Sequence, residues 1–93
     1  MDEITIRETT QQEISGHLVG VGNIWERELP DDKGVIAPRM SATLAIHDLT
    51  KQQTRHEQVF AGSVITLGED RYHIVNVDEG GGARGAITLR RSS

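Results

Sequence analysis

The chain has no cysteine, only two prolines, and one residue each of Trp, Tyr and Phe. Without cysteine there is no disulfide to staple a small fold and no thiolate to serve as nucleophile or metal ligand. A secreted domain of 93 residues often needs such staples, so their absence favours a reducing compartment. With so few aromatics the core must be assembled from Ile, Val, Leu and Ala, with Trp25, Phe60 and Tyr72 as its large pieces. Long apolar runs are missing as well. None approaches the roughly 20 residues of a membrane span. The opening residues, "MDEITIRE", hold no apolar stretch of the kind a secretion signal carries. The expectation is a cytoplasmic protein that does not enter a membrane.

What is present is one domain's worth of chain, residues 1–93, able to bury somewhat over ~60% of its unfolded surface around one modest core. Net charge is -4. Nine acids (Asp2, Glu3, Glu8, Glu13, Glu26, Glu28, Asp31, Asp32, Asp48) and four bases fall in residues 1–50, which leaves residues 51–93 with six bases and five acids. An acidic half repels phosphate backbones and attracts basic surfaces, so nucleic acid is a disfavoured partner and a protein with a basic surface a favoured one.

Apolar residues recur with a period of two. "EITIRET" sets Ile4 and Ile6 against Thr5 and Arg7. "RMSATLAIHD" sets Met40, Ala42, Leu44 and Ile46 against Ser41, Thr43, Ala45 and His47. "GHLVGVGNIWERE" puts Val19, Val21 and Trp25 on one parity, with glycines that mark a bulge or a close backbone approach. "TTQQEIS" is a polar loop or a single helical turn, and "LPDDKGVIAP" reads as a long loop between Pro30 and Pro38. Residues 49–57 suit a hairpin turn with a polar edge strand better than a short helix, although Asp48 is a good helix cap. "GSVITLGEDRYHIVNVDEG" is strand, turn, strand. Val75 and Val77 are out of phase with Tyr72 and Ile74, so this segment is either bulged or covered on both faces. "GAITLRR" closes the chain, with residues 91–93 expected to fray. Six to seven short strands with turn signals between them predict an all-β fold, a small antiparallel sandwich or barrel, with one short helix as the alternative near residues 49–57.

Motifs for chemistry are weak. "DEGGGARG" lacks the Lys-Ser/Thr and the helix that a phosphate-binding loop needs, so its glycines read as a hairpin tip, with Arg84 available to a partner's acidic group. "GVGNIW" has Trp25 where a dinucleotide fingerprint has its third glycine. His17, His47, His56 and His73 have no ligand spacing. Only a hairpin centred between Lys51 and Gln52 would set His47 opposite His56. The paired carboxylates sit at a terminus or in turns, where they solvate and cap their own backbone. Ser15 and His17 are two apart on a strand, too far for a nucleophile and its base. No catalytic group, metal or cofactor is expected.

What remains is recognition. The expected function is a non-enzymatic protein-binding module, an inhibitor, immunity protein or accessory subunit by analogy of fold. Its surface is Glu26, Glu28, Asp31, Asp32, Val35 and Ile36, and the polar edge strand at residues 52–58 offers a route to homo-oligomers. The alternative is a small barrel that binds a small ligand or single-stranded nucleic acid through Arg71, Tyr72, His73 and Arg84. Enzyme activity ranks last.

Overall fold

Alternation turns into eight strands: β1 (Glu3–Arg7), β2 (Gln11–Ile14), β3 (His17–Pro30), β4 (Ile36–Asp48), β5 (Gln53–Phe60), β6 (Val64–Leu67), β7 (Asp70–Asp78) and β8 (Ala86–Arg91). The structure, a computed structural model, describes residues 3–80 and 84–92. One antiparallel sheet has the order β2-β3-β4-β5 and the other the order β1-β8-β7-β6. Within each sheet every strand pairs with its chain neighbours, with β8 joined to β1, and the chain passes between the sheets at β1–β2 and at β5–β6. The fold is therefore an up-and-down meander pressed into a two-sheet sandwich. No helix is present among the described residues, and so none is long and apolar enough to cross a membrane.

The inward parity of the sequence becomes the core. Val19, Val21, Ala42, Leu44, Ile46 and Val59 of one sheet meet Ile65, Leu67, Ile74, Ile87 and Leu89 of the other, all at most 4% exposed. Two bulges rephase strands whose simple alternation fails. Pairing of β3 with β4 shifts between Gly22 and Trp25, where Asn23 takes φ 53°. Ile24 is thereby turned into the core and Trp25 out of it, so the tryptophan expected as a core piece is 49% exposed. The β7–β8 register shifts between Ile74 and Asn76, which explains how Tyr72, Ile74 and Val77 are all buried while Val75 is exposed.

Turn chemistry fixes the remaining connections. Ser15 (φ 49°) and Gly16 (φ 75°) form a two-residue turn with both residues left-handed, the geometry that matches strand twist. It pairs "QQEI" with β3, so the segment expected as loop or helical turn is a strand with only Ile14 facing inward. Residues 49–52 are a four-residue turn, and Asp48 caps it by accepting from the Thr50 and Lys51 amides at 2.8 and 3.0 Å. The hairpin alternative over 49–57 is therefore the one realised. Its centre lies one residue earlier than the one that aligns two histidines: His47 faces Thr54, and His56 faces Ala45. Arg91 and Ser92 do not fray. Arg91 Nη2 donates to Asp70 at 2.9 Å, and the Ser92 amide donates to the Arg71 carbonyl at 2.9 Å.

Candidate functional site

Two central strands outgrow their neighbours. β2 pairs with β3 only from His17 to Gly20, and β5 pairs with β4 only from Ser41 to Asp48. From Glu26–Pro30 and Ile36–Met40, β3 and β4 pair with each other alone. The segment expected as a long loop is thus mostly a two-stranded arm with a five-residue tip. An isolated ribbon is marginal in water, and this one is reinforced by side chains. Asp31 Oδ1 accepts from the Lys33 and Val35 amides at 2.8 and 2.9 Å, while Arg39 reaches the Leu29 and Val35 carbonyls at 3.0 and 3.1 Å. At the arm's base the Arg27 guanidinium lies 4.2 Å from the Trp25 ring centroid, and buried Ser41 donates to the Trp25 carbonyl at 3.1 Å.

The arm collects all six residues expected to meet a partner. Glu26 and Glu28 stand across from Met40 and Pro38, and Pro30 from Ile36, so the two acids and Ile36 share one face of the ribbon. Val35 and Ile36 are 57% and 67% exposed. Glu26, Glu28 and Asp32 make no ion pair among the described residues, whereas Asp31 lies 3.6 Å from Arg39. Asp31 is therefore a turn residue first, and Asp32 is the free acid of the tip. The arm leans over the β5–β6 corner. Between them is a cleft of about 460 Å³, with Asp31, Asp32 and Arg39 on one side and Phe60, Ala61 and Val64 on the other. Arg39 also stacks 5.1 Å from the Phe60 ring. Phe60, expected as a core piece, is only part-buried, and neither it nor Val64 was expected at a site because nothing local places the β5–β6 corner against residues some thirty positions earlier.

No known protein family, curated protein or solved structure matches the chain. Its function has to be read from the site's own chemistry.

The other residues singled out in the sequence are dispersed. Arg71 and His73 lie exposed on the outer face of β7, while Tyr72 between them is 3% exposed and its hydroxyl meets Ser15 Oγ at 2.9 Å. Arg84 precedes β8 at the far end of the β7–β8 hairpin, so these four residues do not form one site. Gly81 and Gly82 of the glycine tip lie outside the described residues. Gly85 does not serve mobility. It is buried, and its carbonyl accepts from the Glu8 amide at 2.7 Å. Ser15 Oγ donates to Asp70 at 2.7 Å rather than approaching His17, whose Nδ1 instead donates to the Ser15 carbonyl at 2.8 Å. No group of three or more His, Asp or Glu suited to a metal occurs among the described residues.

Three aspartates are held below the usual carboxylate range. For Asp31 the main cause is the Val35 amide, followed by that of Lys33. For Asp48 it is the Lys51 amide, with Thr50 and His17 adding to it. For Asp70 it is the Ser15 hydroxyl, then Arg91. Each pKa is lower folded than unfolded, so each contribution to stability is complete above about pH 4 and is lost as pH falls through the folded value. Denaturant midpoints are expected to be flat from neutral pH down to about 5 and to fall below about 4. Asp31→Asn should flatten that fall and speed amide exchange at Lys33 and Val35. An acid limb unchanged in this variant, with exchange also unchanged, contradicts the assignment.

Proposed function

We propose that the chain is a non-enzymatic protein-binding module, of the inhibitor, immunity or accessory-subunit kind, which holds its partner along the β3–β4 arm. The observation that carries this reading is the arm itself. It is a ribbon unpaired on both outer edges, it bears three unpaired carboxylates beside exposed Val35 and Ile36, and it closes a cleft whose opposite wall is Phe60 and Val64. Exposed apolar groups ringed by charge are the usual makings of a recognition surface. A partner segment that offers Lys or Arg next to an apolar side chain fits: the cation meets Asp32, Glu26 or Glu28, and the apolar group enters the cleft. The free ribbon edges add backbone hydrogen bonds by strand addition. Ser63, the hydroxyl residue of the cleft, accepts from the Phe60 amide at 3.0 Å, a structural task that supports a binding role over a catalytic one.

The test is retention of native-lysate proteins on immobilised protein. Carrying Glu26→Lys, Glu28→Lys and Asp32→Lys together is expected to cut retention at least about tenfold, and the wild-type signal should weaken with salt. A control change on the opposite sheet, Thr88→Glu, should leave retention unchanged. The triple variant should melt with the wild type, since it breaks no ion pair among the described residues. Equal retention by all three proteins overturns the proposal.

A further inference from the structure

The outer face of the β2–β5 sheet carries a second concavity, away from the arm's cleft. It measures about 300 Å³, at the lower end of the volumes that hold small ligands. Its floor is Gly20 and Gly22 of β3 with Ala45 of β4, and its rim includes Gln11, Asn23, Thr43 and His56. Three features set it apart from an ordinary sheet surface.

The first is an unspent set of polar groups. The side chains of Gln11, Asn23, Thr43 and His56 make no hydrogen bond among the described residues, while His47 on the same face is bonded to Thr54 at 2.7 Å. Two amides, a hydroxyl and an imidazole, each able to donate and accept, therefore surround one hollow. The second is Gly22. A Cβ on Gly20 would press on Gln11 Cγ at 3.3 Å, but one on Gly22 would meet nothing within 4 Å, and Gly22 does not have positive φ. A strand glycine that neither packing nor backbone requires costs stability, and its effect here is to keep the floor open. The third is the adjoining bulge, a feature common beside functional sites. It holds Asn23 at φ 53° on the rim and sets half-exposed Trp25 one pairing step further along the same face.

Among the described residues the lining contains no acid, lysine or arginine, so an ionic ligand finds no fixed counter-charge in the hollow itself, the Arg27 guanidinium lying beyond it on the Trp25 ring. A wholly apolar ligand would cover four polar side chains without satisfying them. A neutral sugar ring answers both conditions: its C–H face lies on the flat glycine–alanine floor, and its hydroxyl edge exchanges hydrogen bonds with the rim. We infer that this groove is a binding site for a neutral saccharide, one ring over Gly22 and the next toward Trp25.

The probes are cellobiose, maltose and N,N′-diacetylchitobiose, each titrated to about 50 mM so that a Kd as weak as about 10 mM is seen. Amide shifts in NMR spectra and Trp25 fluorescence are the readouts. At least one disaccharide is expected to shift Gly22, Asn23, Thr43 and Ala45 together and to change the indole emission. Gly22→Val should weaken it at least about tenfold while melting at or above the wild-type temperature. Thr43→Val, which keeps the shape and removes the hydroxyl, should weaken it too. No groove shifts with any of the three sugars, or shifts that survive Gly22→Val, overturn the inference. So does a groove that responds only to a charged disaccharide or to a neutral peptide.

Discussion

Leu44→Ala is expected to lower the unfolding free energy by about 3–4 kcal/mol. Leu44 has no exposed surface and sits mid-strand in β4, opposite Val21 on one side and Glu57 on the other. Truncation removes the transfer energy of the lost methyl groups and leaves a hole that two stiff sheets close only partly. Domains of this size have about 5–14 kcal/mol in hand, so the variant should keep its fold but lose much of its urea midpoint. Ile36→Ala makes the same kind of truncation at a site 67% exposed and should change stability by no more than about 0.5 kcal/mol. Equilibrium urea unfolding at neutral pH measures both. A Leu44→Ala cost under about 1 kcal/mol, or an Ile36→Ala cost that matches it, means that the sheets pack differently or that the arm is tucked into the core.

Gly85→Ala should be nearly as damaging, by about 3 kcal/mol, the upper end of overpacking. A Cβ at this position would overlap the Asp78 carbonyl oxygen and sit 2.9 Å from Ile24 Cδ1. The first contact is backbone on the adjoining strand and has no rotamer to move. Relief requires displacing β8 from β7, and with it the hydrogen bonds that tie Gly85 to Glu8: amide to Oε1 at 3.4 Å, and carbonyl to amide at 2.7 Å. The matched substitution Gly22→Ala meets open space and should stabilise by about 0.5–1 kcal/mol. Opposite signs for two glycine-to-alanine changes within one small domain are a sharp outcome for thermal and urea denaturation. A neutral Gly85→Ala shows that the β7–β8 junction is looser than described.

How much of this was legible depended on whether the signal was local. β1, β6 and β8 follow their alternation without interruption, and β4 does so from Ala42 to Ile46, although outward Ser41 is buried as well and Ile36 at the arm's tip is exposed. β2 was not legible because three of its four residues are polar and only its pairing with β3 makes it a strand. Trp25 was misplaced because the bulge at Gly22 adds one position, and every residue after it changes sides. The acids and apolar residues of the arm could be named from composition and turn chemistry. The wall that faces them, Phe60 and Val64, comes from a corner thirty residues away in the chain. Gly85 illustrates the same divide. Its place in a glycine run suggests loop freedom, but the contact with Ile24 and Asp78 that demands glycine is set by tertiary packing.

The most direct test of the arm as recognition surface is site-specific photocrosslinking in cells. A photoreactive phenylalanine is placed at Ile36, 67% exposed on the arm, and in a second protein at Thr88 on the outer face of the other sheet. Discrete adducts from position 36, lost when Glu26, Glu28 and Asp32 are replaced by lysine, with none from position 88, are the result expected here. Adducts from position 88 alone, or adducts from position 36 that persist after the charges are reversed, contradict it.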